Sequence, residues 1–68
     1  MKNNQLKEFY DVLQLLKQFG YVSYMKNPLD HLELIEQEIH ELRDFHLISN
    51  QTFIEAKLLI NQRRMELK

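Results

Sequence analysis

Apolar residues recur at steps of three and four along most of this chain, which places them on one face of a helix. In the middle of the chain the repeating positions are Leu32, Ile35, Ile39, Leu42 and His46. After a break at Leu47-Ile48-Ser49 they are Phe53, Ala56, Leu59/Ile60, Arg63 and Leu67. Because the connection at the break is short, the pattern predicts two helices that form an antiparallel hairpin.

An earlier stretch with the same periodicity predicts a first helix from about Asn4 to Phe19. Gly20, the only glycine, follows it as a left-handed closing residue. Residues 21–26 then favour a short extended segment, since aromatic and β-branched side chains dominate the run. The prediction is an all-α, three-helix bundle in which residues 1–68 form one domain. The connection is long enough for helix one to lie parallel or antiparallel to helix two.

The helix starts have recognisable signals. Asn27 before Pro28 predicts the cap of helix two, because proline suits the first helical position and the residue before it avoids the α region. Ser49 or Asn50 is the predicted cap of helix three.

Composition narrows the classes of function. There is no cysteine, one glycine and no apolar stretch of membrane-spanning length. A phosphate-binding glycine loop is therefore absent, and neither Ser23 nor Ser49 has a suitably spaced histidine for nucleophilic catalysis. We expect a cytoplasmic, non-enzymatic protein without a cofactor.

The histidines do not form a convincing metal site, since they all lie in the helix-two region while a site needs ligands from several elements. His40 is predicted to pair with Glu36 and Asp44 on the surface. His46 is predicted to lie at the edge of the core near the turn.

The net charge of −1 conceals an uneven distribution. Residues 28–48 carry six acidic side chains against Arg43 alone, whereas each flanking segment has a net charge of +2. This arrangement is typical of charge matching within a bundle, but it also allows a basic surface for an anionic partner.

Cations interleaved with tyrosines suit single-stranded nucleic acid, because cations contact phosphates and rings stack on bases. The hairpin places two arginines near the start of helix two, where the extended segment also enters; two further residues join them if helix one ends there. The candidate nucleic-acid-binding residues are Lys17, Tyr21, Tyr24, Lys26, Arg63 and Arg64. Alternatively, the arginines pair with Asp30 and Glu33, and the tyrosines cover the apolar end of the bundle.

Apolar side chains off the main stripes support a different function. Leu34 and Phe45 on helix two, and Ile54, Leu58 and Met65 on helix three, either widen the core stripe or form a second apolar face. In the latter case the chain is a protein–protein interaction or oligomerisation module.

The runs FYDVLQLLKQFG and LELIEQEIHELRDFHLIS, with Tyr24 between them and Phe53 after them, resemble the YqgQ-like family of short proteins from Bacillus-type bacteria. The resemblance implies a cytoplasmic three-helix bundle without known catalytic activity, and binding of single-stranded DNA or RNA has been proposed for the family. The segment LRDFHLISNQTFIEAKLL also resembles a helical hairpin found at the C-termini of many bacterial proteins, which implies a structural or oligomerisation role.

Overall fold

The computed structural model describes residues 5–68, and within this range it is all-α, without strands. Helix α1 spans Phe9–Gln18, α2 spans Pro28–Asp44 and α3 spans Asn50–Leu67. Arg43 near the end of α2 lies over the Phe53 ring near the start of α3, and Pro28 at the start of α2 lines a cavity with Leu67 at the end of α3. These two helices therefore form the predicted antiparallel hairpin. None of the helices in this part of the chain combines the length and apolar character needed to cross a membrane.

Side-chain caps start α2 and α3 at the predicted residues. The Asn27 side-chain oxygen accepts hydrogen bonds from the backbone N–H groups of Leu29 and Asp30, at 2.9 and 3.2 Å. The Ser49 hydroxyl accepts one from the N–H of Thr52 at 3.1 Å. These caps satisfy donors that have no partner inside the helix.

Helix α1 starts later than its periodicity predicts. The predicted start, Asn4, lies outside the described residues, but residues 5–7 are not helical and Glu8 is extended, so the prediction is wrong there. The Asp11 carboxylate accepts from the N–H groups of Lys7 and Glu8 at 2.9 and 3.0 Å, which caps the helix at this point. The N–H of Leu6 donates to Glu55 at 3.0 Å and ties the preceding segment to α3.

Helices α1 and α2 end in the same left-handed motif. After α1, Gly20 has φ 87° and the Tyr21 N–H donates to the Leu16 carbonyl at 3.0 Å. After α2, His46 has φ 60° and the Leu47 N–H donates to the Leu42 carbonyl at 2.8 Å. His46 is therefore an exposed closing residue, and its prediction as a core-edge side chain is wrong because α2 ends before the stripe reaches it.

The core lies where the apolar stripes of the three helices meet, and every buried side chain in the described range is apolar. Its members are Val12, Leu16, Leu32, Ile35, Ile39, Leu42, Ala56 and Ile60. Burial of these side chains holds α1 to the hairpin through the hydrophobic effect.

Helix α1 runs in the same direction as α2, which the sequence leaves undecided. Phe9 lines a small cavity with Pro28 and Leu32 at the start of α2. Tyr21, just after α1, bonds Glu41 near the end of α2. Because α1 packs mainly against α3 and only loosely against α2, a groove remains between α1 and α2.

The substitution Gly20→Ala should lower the free energy of unfolding by about 1 kcal/mol, because an L side chain disfavours the left-handed conformation. A Cβ at this position would meet no atom within 4 Å, so the cost comes from the backbone alone. Urea unfolding followed by circular dichroism measures the change. The reciprocal variant His46→Gly, at the matching position after α2, is the control and should be neutral or stabilising. Equal losses in both variants would contradict the backbone explanation.

Candidate nucleic-acid groove

Two adjoining cavities form the groove between α1 and α2. The larger has a volume of about 240 Å³ and the smaller about 90 Å³. Both are lined by His31 and Ile35, so they are neighbours along α2. Leu13 and Leu16 of α1 provide an apolar wall of the larger cavity, and Val22 of the connection provides another. We call the two cavities together the α1–α2 groove.

The groove brings together three of the six residues predicted to bind nucleic acid. Lys17 and Tyr21 line the larger cavity, and Arg63 lines the smaller one. Tyr24 and Lys26 follow on the connection that borders the groove, and Tyr24 is 83% exposed. A cation therefore stands at each end of the groove, and the exposed Tyr24 ring lies on the connection that borders it.

The structure separates the two neighbouring arginines. Arg64 donates to Glu36 at 2.6 Å and to Asn61 at 2.8 Å, so it belongs to the α2–α3 interface. Arg63 lies over the Phe9 ring at 5.5 Å from its centroid and pairs with Glu66 at 3.4 Å. In the structure these arginines do not pair with Asp30 or Glu33, the partners that the alternative prediction gave them. Arg63 is the arginine that faces the groove.

Tyr21 and Arg63 lie near opposite ends of α2. The Tyr21 hydroxyl donates to a Glu41 carboxylate oxygen at 2.8 Å, and this hydrogen bond raises the pKa of Tyr21. The end of α1 is therefore at the Glu41 end of α2, opposite the end where Arg63 lies. Lys17 and Tyr21 were predicted to join the arginines only if helix one ended at the start of α2, and it does not end there. The predicted residues are therefore spread along the groove and do not form one compact cluster.

Glu36 anchors α3 to α2. Its two carboxylate oxygens accept from Lys57 and Arg64, and the hydrogen bond from Lys57 is the main cause of its lowered pKa. Lys57 also lies 3.1 Å from His40 Nε2, which must accept because an ammonium group only donates. The predicted surface pairing of His40 with Glu36 and Asp44 is wrong because Lys57 lies between the helices, and His40 packs against Phe53 at 5.0 Å.

Glu38 is the unusual polar residue of the groove. Its Oε1 is the one buried side-chain oxygen or nitrogen between residues 5 and 68 that lacks a hydrogen-bond partner. Desolvation by burial raises the pKa of Glu38, the charge of Glu41 raises it further, and His31 lowers it. The nearby His31 ring is itself engaged, with Nε2 lying 3.2 Å from the Ser23 hydroxyl. The groove thus contains an acceptor that no protein donor satisfies.

The spacing of residues on α2 contains a signal for this acceptor that the pattern of apolar positions does not show. His31, Ile35 and Glu38 are spaced by four and three, so they lie on one helical face beside the core. Counting only apolar residues on this face hides its two polar members. No group of three histidine, aspartate or glutamate side chains able to hold a metal ion occurs in the described part of the chain.

The fold and groove define a small all-α protein of three helices. The YqgQ-like family model matches residues 6–66. The chain is also 32% identical over 57 residues to the uncharacterized protein YqgQ of Bacillus subtilis (strain 168). This alignment covers 84% of the present chain and 80% of that protein. No solved structure matches the chain significantly. The chain belongs to the YqgQ-like family, which confirms the resemblance of its sequence motifs.

Replacing Glu38 by leucine should stabilise the protein by about 1 kcal/mol at pH 7, since it removes a buried acceptor without a partner. The pKa of Glu38 is raised above its usual 4.5, so folding disfavours its charged form, and this cost disappears as the pH falls through the raised pKa. The charged and titratable groups around it, Lys17, His31 and Glu41, are present in both proteins. Urea unfolding at pH 7 and pH 4 measures the difference between them. A gain that is no smaller at pH 4 would contradict the desolvation of Glu38.

Proposed function

We propose that this is a cytoplasmic, non-enzymatic protein that binds single-stranded DNA or RNA along the α1–α2 groove. The observation that carries the proposal is the groove itself, with Lys17 at one end and Arg63 at the other. Contacts between cations and phosphates supply most of the affinity of such proteins and depend little on sequence.

The connection between α1 and α2 supports the same proposal. Tyr24 has an exposed ring, and Lys26 follows two residues later, so a base stacked on the tyrosine has a cation near its phosphate. Base stacking on an aromatic ring is tolerant of sequence because every base has a π-face. Tyr21, whose hydroxyl is held by Glu41, contributes a ring in a fixed position at the larger cavity.

The acid in the groove decides which part of a strand enters the larger cavity. Glu38 repels phosphates from this cavity, whereas the apolar wall of Leu13 and Leu16 accommodates a base. The bound strand would therefore keep its phosphates at the cationic ends and turn a base inward. Single strands permit this because their bases are not paired.

The double variant Lys17→Gln/Arg63→Gln should weaken binding of a fluorescein-labelled 20-nucleotide single strand by about fivefold per charge at 0.1 M salt, through lost counterion release. The slope of log K against log salt should become shallower by about 1.4 for the two charges together. Fluorescence anisotropy at several salt concentrations measures both quantities.

Arg43→Gln is the matched control, since Arg43 lines a different depression, beside the turn between α2 and α3, that shares no residue with the groove. If it weakens binding as much per charge as the groove variants do, the strand does not lie in the α1–α2 groove. No binding of the wild-type protein at high micromolar concentration in low salt would refute the proposed function.

A second candidate function is self-association through α3. The outward stripe of this helix combines exposed Ile54, Leu58 and Met65 with uncharged Gln51 and Asn61. A stripe without charges can meet its copy in a second chain without electrostatic repulsion, and a chain of this size gains stability from such a partner. The apolar partner on this face would be a second copy of the protein.

If α3 mediates self-association, Leu58→Glu should convert a dimer to a monomer, because it places a charge in the middle of an apolar contact. Sedimentation velocity at 100 µM protein, at low and at 0.5 M salt, measures the state, and apolar association should persist at the higher salt. Met25→Glu, which charges a partly exposed apolar residue away from α3, is the control. A monomeric wild-type protein would rule this function out.

A further inference from the structure

The unsatisfied oxygen of Glu38 identifies the chemistry that the larger cavity lacks. Glu38 lies on α2 between two walls of the groove, and its buried Oε1 has no donor within reach in the described part of the chain. The nearby His31 does not meet this need, because its Nε2 lies 3.2 Å from the Ser23 hydroxyl and neither of its ring nitrogens bonds Oε1. A ligand that offers a hydrogen-bond donor at this point would remove the cost of the unpaired acceptor.

The shape of the cavity limits what such a ligand can be. Leu13, Leu16 and Ile35 provide apolar surface around the carboxylate, and the volume of about 240 Å³ exceeds that of a single nucleobase. A flat group with apolar faces and donors at one edge fits these walls. Inorganic phosphate or a carboxylate ligand does not fit, because it offers acceptors to an acceptor.

The bases differ in the edge that they would present to Glu38. Guanine carries two adjacent donors, N1–H and the 2-amino group, at the edge that it would turn toward the Glu38 carboxylate. The Watson–Crick edge of thymine or uracil carries one N–H between two carbonyl oxygens, and these oxygens are repelled by the carboxylate. A carboxylate has no donor of its own when ionised, so it discriminates between these edges.

We infer that Glu38 makes the larger cavity of the groove a base-reading subsite that prefers guanine to thymine or uracil at one position of the bound strand. The inference rests on the proposed binding of single strands and deepens it. Phosphate contacts at the ends of the groove set the overall affinity, while Glu38 sets the register by selecting which base turns inward.

The test compares three labelled 20-nucleotide strands by fluorescence anisotropy: all thymine, thymine with guanine at every fourth position, and the same strand with hypoxanthine in place of guanine. The guanine strand should bind about tenfold more tightly than the thymine strand, as expected for hydrogen bonds to a charged group. The hypoxanthine strand should fall between them, since hypoxanthine retains N1–H and lacks the 2-amino group.

Glu38→Gln should abolish the preference, because its amide accepts from guanine and also donates to thymine carbonyls. Glu33→Gln is the matched control: it removes the same charge from an exposed position on the same helix. It should tighten binding of all three strands equally and leave the ratios unchanged.

The outcomes separate this inference from the proposed function. Equal affinity for the three strands, or a guanine preference that survives Glu38→Gln, would overturn the guanine subsite and leave strand binding in place. Failure of the wild-type protein to bind any strand would overturn both. A guanine preference that disappears in Glu38→Gln and persists in Glu33→Gln would establish the subsite.

Discussion

The attachment of α3 to α2 is the constraint on which the other features of this protein depend. Apolar side chains of both helices meet in the core, and Glu36 of α2 accepts from Lys57 and Arg64 of α3 at its edge. These ion pairs are only about a quarter exposed, so solvent screens them less than pairs on an open surface. The hairpin thereby provides a fixed platform with one face left for α1.

Helix α1 is too short to cover that face completely. It contributes two buried side chains, Val12 and Leu16, and it packs mainly on α3. The α1–α2 groove is the consequence, and the connection after Gly20 returns along its border because Ser23 lies beside His31 at the start of α2. The position of the candidate site thus follows from the difference in length between α1 and the hairpin.

Local signals made much of the fold predictable, and the parts that were missed depend on contacts between distant residues. Asn27, Ser49 and Gly20 act through neighbours a few positions away, so their roles could be read from the chain. The direction of α1 is set by packing against distant residues, as the bond between Tyr21 and Glu41, 20 positions apart, shows. The engagement of Arg64 likewise depends on Glu36, 28 positions away. For the site, sequence reasoning found the cations and rings but missed Glu38, because burial of an acid is decided by packing.

The internal use of charge explains how a chain with a net charge of −1 can present cations to a polyanion. Arg64 and Lys57 form ion pairs with Glu36, whereas Lys17 and Arg63 line the groove. The electrostatic field at the groove therefore matters more for an anionic ligand than the total charge of the chain. The unsatisfied Glu38 in the larger cavity argues against a ligand that is anionic throughout, because such a ligand would meet repulsion there. A single strand of nucleic acid alternates phosphates with bases that carry donors, and it therefore satisfies both the cations and the acid.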